Sequence, residues 1–328
     1  MEEDVSQFDV PRPIALRVSV TDRCSLRCLH CTPAEGVERF EYARTLRYEE
    51  IVPFVRLIGR AFGLAKVHVT GGEPLERRGI VTLVEMLAGE GIGDLAMTTN
   101  GQHLAPLAGD LKRAGLKRVN VSLNGVTPRS FRQWAGGGEL SRTLEGIDAA
   151  IGAGLDPVKI NMTTVRGVND GEVADLAQLA LDRGVEARFI ELMPLGPAAR
   201  RHAERFVPAE EVLLRLRRRF ELAPLGRRPG SSSTPYRAVD RRGRAGVISV
   251  IPSCTAPFCG DCNRLRLTAS GVLLGCLAQG GGEDILPLLR GRRALDEPAV
   301  LRAVRDVLSR KRTTGGFSRR ECMVQIGG

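Results

Sequence analysis

The sequence predicts an α/β protein: a partial (βα)6 TIM-like barrel over residues 1–196, then a smaller α+β lobe over 197–328. Three observations predict it. Six short alternating segments recur between amphipathic ones, as in parallel strands joined by crossover helices. Four of these segments, 14–20, 66–70, 118–123 and 158–163, pair an apolar face with a face carrying Arg, Lys, His, Thr, Ser or Asn; in the last, 187–192, the alternation is less clean. A flat sheet covered on both sides would bury that polar face against helices, whereas an open barrel turns it into a cavity lining. Near residue 197 the alternation stops, and a Gly/Ser/Pro-rich stretch with a hairpin takes over.

In order along the chain, residues 1–13 read as an extended arm, because Pro11 and Pro13 oppose helix. Strand 14–20 sets Ile14, Leu16, Val18 and Val20 against Ala15, Arg17 and Ser19. A loop bearing Cys24, Cys28 and Cys31 follows it. Residues 46–62 read as an amphipathic helix interrupted near Pro53. Strand 66–70 ends in the turn Gly71-Gly72-Glu73-Pro74. Then come helix 79–90, strand 95–99, a turn at Asn100-Gly101 and helix 104–114. Strand 118–123, helix 140–153, strand 158–163, helix 170–183 and strand 187–192 complete the barrel pattern. Beyond it lie helix 208–220, loop 226–235, a hairpin around 236–251, a second cysteine group, and helical stretches near 284–291 and 297–311. The first cysteine loop, the Gly-Gly-Glu-Pro turn and Thr98 to Asn100 all fall at strand C-terminal ends, where a barrel holds its site.

The chain has 328 residues, 43% hydrophobic and 26% charged, as in an ordinary globular protein. No apolar run has the length of a membrane span, and the acidic start Met1-Glu2-Glu3-Asp4 lacks a signal peptide's apolar core. A cytoplasmic protein with no membrane partner is expected. The net charge of +10 favours anionic partners, but aromatics at 4% leave few stacking platforms for nucleic acid. Of eight cysteines, six fall in two tight groups, which in a cytosolic chain points to metal chemistry rather than disulfides.

Cys24-x3-Cys28-x2-Cys31 puts three thiolates on one loop, a set for a soft metal centre. Three are one short of full ligation of a 4Fe–4S cluster, so one iron is left to a non-protein ligand. Zinc would need a fourth ligand, which His30 can supply, although the three-residue spacing suits it poorly. Cys259-x2-Cys262-x13-Cys276 is a second three-ligand set. Arg264 and Arg266, two apart, share a face if extended. Together with Arg17, Lys66 and Lys159 they can surround a polyphosphate, whose oxygens suit bidentate guanidinium contacts. Cys254 reads as a buried thiol and Cys322 as incidental.

The first motif and the Gly-Gly-Glu-Pro turn resemble those of the radical S-adenosylmethionine (SAM) superfamily. The ordered segments LRVSVTDRCSLRCLHC, KVHVTGGEP, TTNG, VNVSL, VKIN, RGVND, ARFIELMPLG, PFCGDCNRLRLT, GCL and IGG are similar to the GTP 3′,8-cyclases within it. That resemblance implies two 4Fe–4S clusters, on Cys24, Cys28 and Cys31 and on Cys259, Cys262 and Cys276. It implies SAM contacts from His30, Gly71, Gly72, Glu73, Ser122 and Met193. GTP contacts fall to Arg17, His68, Thr98, Lys159, Arg264 and Arg266. Arg188, Gly327 and Gly328 are implied to assist the cyclisation. The implied partners are GTP, an electron donor protein and a downstream cyclic pyranopterin monophosphate synthase, with the enzyme a monomer or homodimer. Four departures stand out: His30 where an aromatic is usual, His68 where an arginine is common, Asn124 where an aspartate is usual, and Ala135-Gly136-Gly137-Gly138 where a Thr-Gly-Arg type segment is usual. The charge of His68 is expected to vary with pH. Two other readings stay open: a peptide-modifying radical enzyme with an auxiliary cluster, and a metal-bearing nucleic-acid binder.

Overall fold

One twelve-stranded sheet runs through the whole chain, in a computed structural model that describes residues 13–33, 35–291, 295–311, 316–319 and 321–327. The arm up to residue 12 and Gly328 lie outside the described residues.

The first half builds β1 (Ile14–Ser19), α1 (Tyr48–Phe62), β2 (Leu64–Thr70), α2 (Ile80–Gly89), β3 (Leu95–Thr99) and α3 (Leu104–Arg113). It continues with β4 (Arg118–Ser122), α4 (Pro128–Ala135), α5 (Leu140–Gly152), β5 (Val158–Thr164), α6 (Val173–Asp182) and β6 (Glu186–Glu191). β1 to β6 are neighbours in sequence order and all parallel. Their apolar faces, including Leu16, Val18, Val67, Val69, Met97, Val121 and Ile160, are buried with Phe54, Ile58, Leu83, Leu87 and Leu111 of the helices. This is the alternation expected from the sequence, with the core between strands and outer helices and the polar face turned inward.

α1 is not interrupted at Pro53 as the sequence suggested. Proline removes one helical hydrogen bond, at a cost of about 3 kcal/mol. Ile51, Val52, Phe54, Val55 and Ile58 around it are all buried. At roughly 1.5–3 kcal/mol per buried side chain, that packing outweighs the lost bond. α4 has no counterpart in the sequence reading. It is short and starts at a proline, yet Thr127 and Ser130 form a reciprocal capping box and Phe131 and Trp134 are buried.

The second half adds α7 (His202–Arg205), α8 (Ala209–Arg217), β7 (Phe220–Pro224), β8 (Thr234–Asp240), β9 (Ala245–Ile251) and β10 (Arg264–Leu267). β11 (Val272–Leu274), β12 (Glu283–Asp284), α9 (Leu286–Leu289), α10 (Glu297–Ser309) and α11 (Met323–Ile326) end the chain. Its strands join the barrel sheet at both edges: β9 lies parallel to β6, and β10 lies parallel to β1. An unpaired strand edge is a row of unmet N–H and C=O groups, and β9 and β10 cover the two that β1 to β6 leave.

A fragment ending at residue 196 is therefore expected to expose both edges and to aggregate or unfold without cooperativity. Circular dichroism melting and limited proteolysis of that fragment check this; a soluble, cooperatively melting fragment would show the edges need no cover.

Candidate active site

The strands enclose a cavity of about 970 Å³. Its lining carries the polar face of every barrel strand: Arg17, Lys66, His68, Thr98, Asn120, Ser122, Lys159, Asn161 and Arg188, with Arg264 and Arg266 from β10. Eight Lys and Arg side chains line it against three carboxylates, Asp94, Glu186 and Glu191, so its walls favour an anion.

The sheet topology sets the two cysteine groups at opposite ends of this cavity. Cys24, Cys28 and Cys31 follow the C-terminal end of β1. Cys262 precedes β10, which runs parallel to β1, and the Ala15 N–H at the start of β1 donates to Asn263 O (2.9 Å). Cys276 follows β11, which runs back antiparallel to β10. The second group therefore lies at the N-terminal end of β1. A six-residue strand at about 3.3 Å per residue separates the two ends by roughly 20 Å. The sequence placed the site at strand C-terminal ends; the cavity instead spans the full strand length.

The first loop is held on three sides. Gly72 N–H donates to Thr21 O (2.6 Å) and Glu73 N–H to Arg23 O (2.7 Å), which ties the Gly-Gly-Glu-Pro turn to the start of the loop. A Cβ on Gly72 would overlap the Arg23 carbonyl, so the close approach of these two backbones requires glycine. Arg27 N–H donates to Ala135 O (2.8 Å) and Leu29 N–H to Trp134 O (3.1 Å) on α4. On the third side the Val324 N–H of α11 reaches the Cys31 thiol. Burial chiefly, with Glu73 and Glu76 beside Cys24 and Cys24 beside Cys31, pushes both thiols up to about 12; burial, then Cys31 and Cys24, hold Cys28 well above its ordinary value. These thiols hold their protons until a metal centre displaces them. Among the described residues no three Cys, His, Asp or Glu side chains meet closely enough to bind a single ion.

Glu73 is turned into the protein. Its carboxylate accepts from Thr99 Oγ1 (2.6 Å), Asn100 N (2.7 Å) and Leu75 N (3.0 Å), and burial raises it to about 7. Asn100 Nδ2 in turn lies 3.8 Å from Cys24 Sγ. His30 lines the cavity beside Met193 and stacks on Trp134, ring centroids 5.2 Å apart. Burial lowers it to about 4, and its Nδ1 is buried without a partner. A neutral, orphaned acceptor or donor of this kind fits a ligand that completes it.

The second loop faces the other end of the cavity, and all three of its cysteines line it. Cys259 is raised by burial and by Cys276 and Cys262. Burial opposes ionisation of Cys262 too, yet Lys311 and Arg264 hold its thiol below the ordinary value. Arg319, almost fully buried, donates to Leu277 O (3.0 Å), Gly281 O (2.8 Å) and Cys276 O (3.4 Å), and so grips the loop carrying Cys276. Cys254 is not part of this group: its thiol donates to Leu192 O (3.4 Å) and its N–H to the buried Glu191 carboxylate (2.8 Å). Cys322, incidental in the sequence reading, lies within electrostatic reach of Cys31.

Between the two ends stands the cation set. Arg17 and Arg266 are direct neighbours in register across β1 and β10. Burial, then Arg266, Arg264 and Arg188, lower Arg17 well below its ordinary value; burial, then Arg264, bring Arg266 to about 10. Arg188 is brought to about 10 and Lys66 to about 8, in both cases chiefly by burial. Lys159 pairs with Glu186 at 2.5 Å. His68 is a correction to the sequence reading: burial, then Arg17 and Arg118, hold it far below its ordinary value, so it stays neutral and bonds Thr98 Oγ1 at 2.6 Å. Arg188 Nε donates to Asn161 Oδ1 (2.9 Å). Gly327 takes a positive φ of 71° against Ser19 and Thr70, and its carbonyl accepts from Arg266 Nη1 (2.8 Å). The expected tail residue thus does reach the cavity wall. Sequence reasoning missed Glu186, although it lies two residues before Arg188 and so on the same strand face. It also missed Lys311 and Arg319, which carry no local pattern.

Residues 18–180 match the model of the Radical SAM superfamily, and residues 185–317 that of Molybdenum Cofactor Synthesis C. The chain is 43% identical over 307 residues to the GTP 3′,8-cyclase of Geobacter sulfurreducens, covering 92% of this chain and 91% of that one. It is 43% identical over 320 residues to the GTP 3′,8-cyclase of Pelotomaculum thermopropionicum, covering 95% and 97%. Among solved structures, Streptococcus suis SuiB bound to S-adenosylmethionine shares the fold, with a TM-score of 0.58 at 14% identity over 85% of this chain and 65% of that one.

Gly72→Ala is expected to displace the first cysteine loop and to lower iron content after anaerobic reconstitution by about half, as one cluster is lost. Gly152→Ala, where an added Cβ meets nothing within 4 Å, is the control and keeps full iron.

Proposed function

The chain belongs to the GTP 3′,8-cyclase family of the radical SAM superfamily, and from its cavity we propose how its residues share the work. It converts GTP to (8S)-3′,8-cyclo-7,8-dihydroguanosine 5′-triphosphate, the first step of molybdenum cofactor biosynthesis, with SAM and two 4Fe–4S clusters. The observation that carries the residue assignment is the cationic cavity lined by His30 of the first cysteine loop and by all three cysteines of the second, the two loops lying at opposite ends of β1.

Cys24, Cys28 and Cys31 would hold the first cluster and Cys259, Cys262 and Cys276 the second, each set one thiolate short of full ligation. When loaded, the first cluster would supply the electron for cleavage of SAM to methionine and a 5′-deoxyadenosyl radical. The chain's own task is positioning. His30, Gly71, Gly72, Glu73, Ser122 and Met193 seat SAM, with Glu73 acting through the turn and Asn100 that it pins. Arg17, Lys159, Arg264 and Arg266 hold the triphosphate, joined by Lys66; His68 and Thr98 offer neutral hydrogen bonds. An incoming triphosphate relieves the mutual repulsion of buried cations that the empty cavity tolerates at a cost. The 5′-deoxyadenosyl radical would take the hydrogen atom of ribose C3′, leaving 5′-deoxyadenosine; the C3′ radical would bond C8 at the cost of the C8–N7 π bond, and one electron from the donor with a proton at N7 would complete the 7,8-dihydro ring, with Arg188 and the Gly327-Gly328 tail placed to steady the closing ring.

By this reading residues 1–196 generate the radical and 197–328 hold the second cluster. We infer that the enzyme works in the cytoplasm as a monomer or homodimer, takes electrons from a donor protein and passes its product to cyclic pyranopterin monophosphate synthase. No described helix is long and apolar enough to cross a membrane.

Anaerobic protein given SAM, GTP and dithionite is expected to form 5′-deoxyadenosine in a GTP-dependent manner. Formation that ignores GTP, with both clusters loaded, would sink the assignment. Arg266→Ala, which removes one buried charged contact worth about 2–5 kcal/mol, is expected to weaken GTP binding by ~30-fold or more. Because Lys66 sits near 8 in the free cavity, it must take up a proton to meet the triphosphate at higher pH. GTP affinity is therefore expected to fall as pH rises through 8, approaching about tenfold per pH unit. Calorimetry in buffers of differing ionisation enthalpy checks it, and Lys66→Met should bind more weakly at pH 7 without that proton uptake.

A further inference from the structure

The second cysteine loop is gripped from outside the cavity by one lysine. Lys311 follows α10, with its backbone N–H on Leu308 O (3.1 Å), so its side chain springs from the end of a helix. Its ammonium donates to Cys262 O (2.8 Å) and to Arg264 O (2.8 Å), and it also reaches the Cys262 thiol. An ammonium has three donors. Here two are spent on carbonyls and the third lies against a cluster ligand. Among the described residues no carboxylate forms a salt bridge with Lys311, so the full positive charge rests at the Cys262 sulfur.

The same contacts bear on Arg264. Holding the carbonyls on either side of Asn263 fixes the start of β10, and the Arg264 guanidinium then lies 4.4 Å over the Phe258 ring, on the cavity wall. One side chain thus meets a ligand of the second cluster and the backbone of a triphosphate-facing arginine.

We propose that Lys311 is a positioning residue that raises the reduction potential of the second cluster and sets the aim of Arg264. The inference rests on the assignment of a 4Fe–4S cluster to Cys259, Cys262 and Cys276. A positive charge at a ligand sulfur stabilises the more negative, reduced cluster, and hydrogen bonds to the ligands are a lever on cluster potential. Lys311 acts through Cys262 and Arg264 and touches neither reacting atom.

The test compares anaerobically reconstituted full-length wild type, Lys311→Gln and Lys311→Arg by iron and sulfide content, GTP binding and redox titration followed by EPR. The signal perturbed by GTP reports the second cluster, and the signal perturbed by SAM reports the first. In Lys311→Gln, which keeps an amide donor but no charge, the reduction equilibrium constant of the second cluster should fall three- to tenfold, up to about 59 mV for one electron. GTP should bind three- to tenfold more weakly. The first cluster, at the far end of the strands, should not change, and Lys311→Arg should restore both values. An unchanged second-cluster potential in loaded Lys311→Gln overturns the proposal. If Lys311→Gln does not keep the cluster, Lys311→Arg decides: loading at native potential supports the cationic role, and failure to load overturns it. A wild-type protein without the GTP-perturbed signal would instead overturn the cluster assignment itself.

Discussion

Arg17 and Arg266 stand side by side on adjacent parallel strands, Arg266 buried and Arg17 half-buried, with Arg264 close enough to repel both and Arg188 to repel Arg17. Most folds avoid this arrangement, because taking a cation out of water carries a desolvation penalty and like charges add to it. Much of the rest follows from it. The barrel stays open because its inner face cannot be packed dry. β10 must lie beside β1 because it brings two of the four arginines. The few carboxylates on the wall are spent locally, as Glu186 is on Lys159, and leave the centre positive. A polyanion would relieve such a site, and the neutral His68–Thr98 pair lies among the charges as a hydrogen-bonding edge without further repulsion.

The parallel sheet then fixes the distance over which the chemistry works. Because β10 runs parallel to β1, the loop entering β10 and the loop leaving β1 lie one strand length apart. Substrate and radical source can occupy one cavity only if each is anchored at its own end. The C-terminal segment touches both anchors. Lys311 and Arg319 hold the backbones that carry Cys262 and Cys276, Val324 N–H meets Cys31, and Gly327 O meets Arg266. A segment so spread has no core of its own; its order depends on the parts it joins.

Some departures from the sequence reading have a common cause. Pro53 does not break α1 because the packing of its neighbours outweighs one hydrogen bond. His68 does not titrate near its ordinary value because its surroundings are cationic and dry. In both, a local preference was read correctly and a tertiary term was larger. α4 escaped notice for the opposite reason: eight residues beginning at a proline give a weak periodic signal, and the capping box with buried Phe131 and Trp134 makes up the difference.

The sequence alone determined the parts whose information is local. Period-two alternation marked the six barrel strands and, in four of them, which face is polar, and cysteine spacing marked two three-thiolate sets. The Arg264, Arg266 pair marked a strand with two guanidinium groups on one face, since side chains two apart in an extended segment share a face, and both line the cavity. The tertiary structure alone decided which distant segments meet. β9 and β10 close the two edges of the barrel, the two cysteine loops face each other along the strands, and Lys311 comes to rest on Cys262. Those pairings join residues tens to hundreds of positions apart, and they depend on strand direction and on which edge is left unpaired. No window of sequence carries that information, because edge pairing is satisfied by backbone groups that every residue shares.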